Sequence, residues 1–258
     1  MVGWPSDHHP DGSQPNLPAA LAREAAEKLL EPIYSEWFRT QVTGQQHIPE
    51  TGPALIVANH SGAFAIDGLI TMMAVAKNSR RSLKVLGADF LFNVGINDLL
   101  AELDVKPARP DIATDLLTAG ELVGVWPEGV RGVAKTFDQR YRLQRFGRGG
   151  FARIAIELEI PVIPTAIIGG EESYPLVGKV HGVLNWAGLP YLPVTPTFPA
   201  LGPLGLIPFP AQWSIEFGEP LRPNYEASPI GAFEFTDQVR AVIQNMILGK
   251  LESRSRVF

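Results

Sequence analysis

The chain has 258 residues, 45% of them hydrophobic, which suits a single domain with one sizeable core. A formal net charge of -5, from 22 Lys+Arg against 27 Asp+Glu, excludes a chain-wide cationic footprint for nucleic acid. The absence of cysteine removes disulfides, thiolate zinc sites and cysteine nucleophiles, and a charged fraction of only 19% favours a lipid or membrane-surface neighbour for a cytosolic protein.

Residues 1–18 lack a cationic flank followed by an apolar stretch, so they read as a disordered tail rather than a signal peptide or anchor, with one domain from 19 to 258. From Ala19 to Phe38, Leu21, Ala25, Leu29, Ile33 and Trp37 recur at helical spacing, which predicts an N-terminal amphipathic helix that Pro32 bends or interrupts. Short apolar runs then alternate with helix-length segments. The strands expected are Ala54 to Ala58, Leu83 to Leu86, Leu122 to Val125 and Pro161 to Ile168, with a late strand from Trp213 to Phe217. Helices are expected over Ile66 to Ala76, Phe90 to Leu103, Phe151 to Glu159 and Ile230 to Leu251. This order predicts an α/β domain whose central sheet is mostly parallel and flanked by helices. The uncharged stretch from Val180 to Ile215 is broken by seven prolines and cannot span a bilayer as a helix.

The run from Ala54 through Asn59 and His60 to Asp67 places a buried strand directly before a histidine, then a glycine-containing turn, then a helix with an acid in its first turn. Open α/β sheets place ligands at the carboxyl ends of their strands. A neutral histidine there accepts a proton from an attacking hydroxyl when a carboxylate holds its other nitrogen, which makes His60 the candidate base. The same pattern also suits a histidine merely satisfied in a loop. A second strand, Leu122 to Val125, empties into Trp126-Pro127-Glu128-Gly129-Val130-Arg131. Gly129 permits close approach of backbone to ligand, and Arg131 has the planar fork that clamps a phosphate; a structural ion pair is the alternative.

Between Arg131 and Arg153, the cations Arg131, Lys135, Arg140, Arg142, Arg145, Arg148 and Arg153 face the single acid Asp138. Such an island suits an anionic headgroup or a polyphosphate tail, or is a solvated loop. Gly147 to Ala152 formally matches a dinucleotide fingerprint, but the charged segment before it is no buried strand. The serine-hydrolase elbow and the P-loop are missing, and no histidine–carboxylate spacing suits a metal.

Taken in order, the Asn59-His60 to Asp67 block, the Pro127-Glu128-Gly129-Val130-Arg131 block and the Ile160 to Pro164 strand resemble the PlsC-type glycerolipid acyltransferase superfamily over about residues 40 to 220. The longer His–Asp spacing, the arginine-rich stretch and the proline-rich segment are nearest the monoacylglycerol and diacylglycerol acyltransferase-like branch. The resemblance implies transfer of a fatty acyl group from acyl-CoA or acyl carrier protein to a hydroxyl of a glycerolipid or lysophospholipid, with no other cofactor and no metal. It makes His60 the base, Asp67 its orienter, and Glu128, Gly129 and Arg131 the acceptor clamp, and from the cationic island Lys135, Arg145 and Arg148 are expected to bind substrate as well. It further implies a lipid acceptor, an acyl thioester donor and a membrane surface as partners, and a peripheral position on the inner face of the membrane. A non-catalytic lipid-binding protein and a lipid hydrolase are the alternatives.

Two departures stand out: six residues separate His60 from Asp67 where four are usual, and Val130 replaces the usual Thr or Ser. On a continuous helix, residues seven apart lie about 10 Å apart along the axis, too far for a hydrogen bond. The spacing therefore predicts a loop turned at Gly62, a helix starting near Ala65 or Ile66, and an Asp67 oxygen within about 3 Å of a His60 ring nitrogen, with Glu128 as the alternative partner. Part of the stretch from Val180 to Ile215, which carries Leu184, Trp186, Leu189, Tyr191, Leu192, Phe198, Leu204, Ile207 and Phe209, is expected to form an apolar surface that docks on a bilayer; core packing is the alternative.

Overall fold

A computed structural model describes residues 28, 30–64, 66–93, 95, 97–184, 190–254 and 257–258. The tail 1–18 and half of the predicted N-terminal helix lie outside them. Where that helix is described it runs through residues 30–32 and continues as a π-helix, Ile33–Trp37, directly after Pro32.

The apolar run Ala54–Ala58 is fully buried because it lies mid-sheet with neighbours on both edges. Nine strands are described: β1 (Gln41–Thr43), β2 (Ala54–Ala58), β3 (Leu83–Gly87), β4 (Val105–Pro107), β5 (Leu122–Val125), β6 (Val162–Ile168), β7 (Gly178–Val180), β8 (Leu192–Val194) and β9 (Ser214–Phe217). Seven of them form the central sheet in the order β1-β9-β6-β2-β5-β3-β4, and β7 and β8 pair as a separate hairpin. The five strands from β6 to β4 are mutually parallel, whereas β9 runs antiparallel to β6 and carries β1 parallel to itself. The expected mostly parallel α/β sheet is thus present, with a reversed edge.

Seven α-helices are described: α1 (Asp67–Asn78), α2 (Asn97–Glu102), α3 (Pro110–Thr118), α4 (Val130–Val133), α5 (Gly150–Glu157), α6 (Gly170–Ser173) and α7 (Pro229–Ser253). Alternate residues of β2 serve opposite faces of the sheet. Ile56 and Ala58 join Ile70, Met72, Phe38 and Trp213 under α1, while Leu55 and Val57 join Phe151, Phe235 and Val239 under α5 and α7. The helix predicted from Phe90 to Leu103 is instead a 3-10 turn, Asp89–Asn93, followed by α2. Gly95 between them has φ +77, a conformation that ends helical geometry.

Candidate active site

The site is built where β2, β5 and β6 end side by side. Asn59, directly after β2, is buried and bridges to β6: its Nδ2 donates to Ile167 O at 2.8 Å and its Oδ1 accepts from Ile167 N at 2.7 Å. The amide side chain thus continues the ladder one residue past the strand and fixes where the next residue emerges.

That residue is His60. Its Nδ1 lies 2.8 Å from Asp67 Oδ2, which also accepts the Ser61 N–H at 2.7 Å, and the other oxygen of Asp67 accepts from Gly68 N at 3.0 Å. The Asp67 side chain is fully buried at the N-terminus of α1, where the helix dipole favours a negative charge, while that of His60 is 17% exposed. An ionised Asp67 holds the proton on Nδ1 and leaves Nε2 as the basic nitrogen. Ile66 caps α1 and Asp67 begins it, close to the expected start.

The loop returns to His60 by turning at Gly62, whose φ is +83. A Cβ there would stand 2.6 Å from Gly170 O, so both the conformation and the space demand glycine. Phe64 in the same loop packs edge-on against Tyr174, 4.8 Å between ring centroids, and against Phe198 at 6.0 Å.

Glu128 does not take the imidazole. Its Oε1 accepts the His60 backbone N–H at 2.8 Å, its Oε2 accepts the Gln144 N–H at 2.6 Å, and the side chain is fully buried. Glu128, expected in the acceptor clamp, lines a cleft and has both carboxylate oxygens bound to the protein's own backbone. Gly129 has φ +55 and ψ -145, a region open to glycine, and nothing lies within 4 Å of where its Cβ would be. Gly132 was not singled out from the sequence, yet a Cβ there would come within 2.5 Å of His60 Cβ and 2.8 Å of Glu128 Cβ. Only a glycine lets α4 pass this close beneath the histidine.

The basic island divides. Arg131, Arg145 and Arg148 are exposed, have no ion-pair partner among the described residues, and line a cleft of about 440 Å³ with Glu128, Val130 and Gly147. Arg140 stacks on Phe137 at 4.4 Å, and Arg153 pairs with Glu157. Lys135, expected among the substrate-binding residues, has its ammonium buried 2.9 Å from Glu171 and 3.6 Å from Glu128. Burial pushes the Glu171 carboxyl above the ordinary carboxylate range, and the Lys135 charge opposes that rise.

Gly147 and Arg148 also line a neighbouring cavity of about 250 Å³ whose walls include Leu55, Leu86, Leu117, Val125, Phe151 and Ile154. A cationic cleft therefore adjoins an apolar one. His60 lines neither; it is tied to the first through Glu128, and its ring lies 6.0 Å from that of Trp126, which borders the second. Behind the cleft, Arg240 and Gln244 of α7 donate to the carbonyls of Leu143, Gln144 and Tyr141 and so hold the segment that carries Arg145.

Of the uncharged stretch, Tyr191 is buried, whereas Leu201, Leu204, Leu206 and Ile207 are exposed, with Leu204 at 68%. The Trp37 indole donates to Pro208 O and Arg39 to Pro210 O at the base of this turn, and the Tyr174 hydroxyl donates to Leu206 O. Trp186 and Leu189 lie outside the described residues. No described helix is long and apolar enough to cross a membrane.

Comparison with known proteins agrees with this geometry. The family model described as Acyltransferase matches residues 39–168. An uncharacterised protein of Mycobacterium tuberculosis (strain H37Rv) is 42% identical over 255 residues, covering 96% of this chain and 70% of its own. The "DGAT1/2-independent enzyme synthesizing storage lipids" of Homo sapiens is 29% identical over 183 residues, 69% of this chain and 56% of its own. The crystal structure of the 1-acyl-sn-glycerophosphate (LPA) acyltransferase PlsC from Thermotoga maritima shares the fold, with a TM-score of 0.55 at 19% identity over 92% of this chain and 84% of that one. With its strand-end histidine paired to a buried aspartate on a mostly parallel sheet, the chain belongs to the PlsC-type Acyltransferase family.

Proposed function

We propose that the protein is a glycerolipid O-acyltransferase that moves a fatty acyl group from a thioester, acyl-CoA or acyl carrier protein, to a hydroxyl of a glycerolipid or lysophospholipid. The observation that carries this reading is the 2.8 Å contact between His60 Nδ1 and the buried Asp67 carboxylate. Nε2 takes the proton of the acceptor hydroxyl as its oxygen attacks the thioester carbonyl. The tetrahedral intermediate then expels the thiolate, which takes the proton back from the imidazolium, so one ester and one thiol form with no covalent enzyme intermediate. Asp67 supports the imidazolium in between.

The three unpaired arginines of the cleft support an anionic group on acceptor or donor, and the adjoining apolar cavity supports an acyl chain. The human relative's name speaks of synthesising storage lipids, which supports including mono- and diacylglycerols among the acceptors tried. The test is therefore a panel: labelled acyl-CoA and acyl carrier protein offered with lysophospholipids, mono- and diacylglycerols or no acceptor. Acceptor-dependent ester formation is expected. Thioester release that ignores the acceptor would make the protein a hydrolase, and lipid binding with no thioester consumption would make it a binding protein.

For an anionic acceptor, Arg131→Lys is expected to raise the acceptor KM about tenfold and leave the donor KM within about twofold, because an ammonium cannot reproduce the planar fork. A raised donor KM with unchanged acceptor KM would reassign Arg131 to the carrier.

The same reading makes the protein peripheral, on the inner face of the membrane, with the turn from Leu201 to Ile207 resting on the bilayer and Trp37 and Arg39 at its rim. Leu204→Glu with Ile207→Glu is expected to cut co-sedimentation with anionic vesicles at least fivefold while circular dichroism stays unchanged, since each charge must enter the interface. Undiminished co-sedimentation would place membrane contact elsewhere.

A further inference from the structure

Because β2 lies between β6 and β5, a group that joins the loops after β6 and β5 must pass over the end of β2, where His60 stands. Lys135 does this. Its ammonium contacts Glu171 of α6, just after β6, at 2.9 Å, and Glu128, just after β5, at 3.6 Å. Glu128 in turn holds the His60 backbone N–H at 2.8 Å.

We infer that Lys135 is a positioning residue: its buried ammonium, set between Glu171 and Glu128, holds the Glu128 carboxylate in place and thereby fixes the backbone of His60. Glu128 accepts two backbone N–H groups through two different oxygens. One orientation of the carboxylate serves both at once, so a rotation weakens at least one of them. Without the ammonium, the cation that joins Glu128 to Glu171 is lost and the carboxylate is free to shift away from the His60 N–H. A displacement of about 1 Å at a reacting group costs about 10²-fold in rate.

The titratable groups around Glu128 are His60, Lys135 and, through Lys135, Glu171. Tyr141, Glu172 and Arg254 form the next ring, with the Tyr141 hydroxyl and Arg254 both donating to Glu172. Arg131, Arg145 and Arg148 face Glu128 across the cleft.

The test reads His60 first and turnover second. The activity arm rests on the acyltransfer reading, whereas the spectroscopic arm does not, so the two can fail separately. In wild type the His60 amide proton is expected to lie downfield, as the N–H of a charge-assisted hydrogen bond. In Lys135→Cys it is expected to move upfield. With acyl transfer as readout, kcat falls at least tenfold while both KM values stay within about twofold.

The chain has no other cysteine, so alkylation of the variant with bromoethylammonium in urea, followed by refolding, restores a charge of near-lysine length at this position alone. Both signatures are expected to return with it. A folded Lys135→Cys whose His60 amide and kcat match wild type would overturn the inference. If that variant does not fold, Lys135→Met with Glu171→Met replaces the ion pair by apolar groups and gives the same two readings. Failure of that pair to fold, with Glu128→Gln folded, would assign Lys135 to stability alone and likewise overturn it.

Discussion

His60→Ala and His60→Gln are expected to reduce acyl transfer by about 10²–10⁴, the usual contribution of a positioned general base. The fold should survive, because the bonds that place this residue are made by its backbone N–H to Glu128 and by its neighbour Asn59 to β6, not by the ring. Removing the imidazole does leave Asp67 Oδ2 with only the Ser61 N–H, so a small loss of stability accompanies the change. Circular dichroism and a thermal melt check that the protein remains folded. Turnover within about threefold of wild type would remove His60 from the chemistry.

Asp67→Asn is expected to cost nearly as much through a different route. The aspartate Oδ2 receives two donors, His60 Nδ1 and the Ser61 N–H, and Oδ1 receives a third from Gly68. An asparagine has one acceptor oxygen and an NH₂ group that must itself donate. If its oxygen keeps Gly68, the NH₂ meets the ring and the imidazole must present Nδ1 as acceptor, which puts the proton on Nε2 and leaves no base. If its oxygen keeps the ring, the Gly68 N–H faces a donor at the start of α1. The expected result is a fall in kcat of about 10²–10⁴ and a loss of about 1–3 kcal/mol of stability. Nitrogen-15 NMR of the ring gives the tautomer directly. A variant with wild-type kcat and the proton still on Nδ1 would show that the carboxylate charge is not needed.

What could be read from the sequence depended on how local the cause was. Strands β2 and β5 were legible to the residue because each is a short apolar run closed within two residues by a polar residue or a proline. The contact of His60 with Asp67 was legible from the resemblance, and helix geometry added that His60 must then sit in a loop before the helix begins. Strands β1, β4, β7 and β8 were not, each being only three residues long and none fully buried, so no alternation had room to show. Helix α3 opens on Arg109-Pro110-Asp111 and follows so short a strand that no boundary marked it. The burial of Lys135 was not legible because a cation among arginines ordinarily lies on a solvated face, and the carboxylate beside it is Glu171, far along the chain on another loop. The inward turn of Glu128 had the same origin: its partners are the backbones of His60 and Gln144, which no side-chain pattern announces. Gly132 carried no signal beyond being a glycine.

His60 is placed by the end of a strand and Asp67 by the start of a helix, and the residues between them only have to bring the chain around at Gly62 and fill the space beside Tyr174 and Phe198. The number of intervening residues is then free to vary while the contact between ring and carboxylate is preserved. A search that demands a fixed His-to-Asp interval therefore passes over chains like this one. A search for the anchors, an Asn-His at a strand's end and an aspartate opening the next helix, would retrieve them at any loop length that closes.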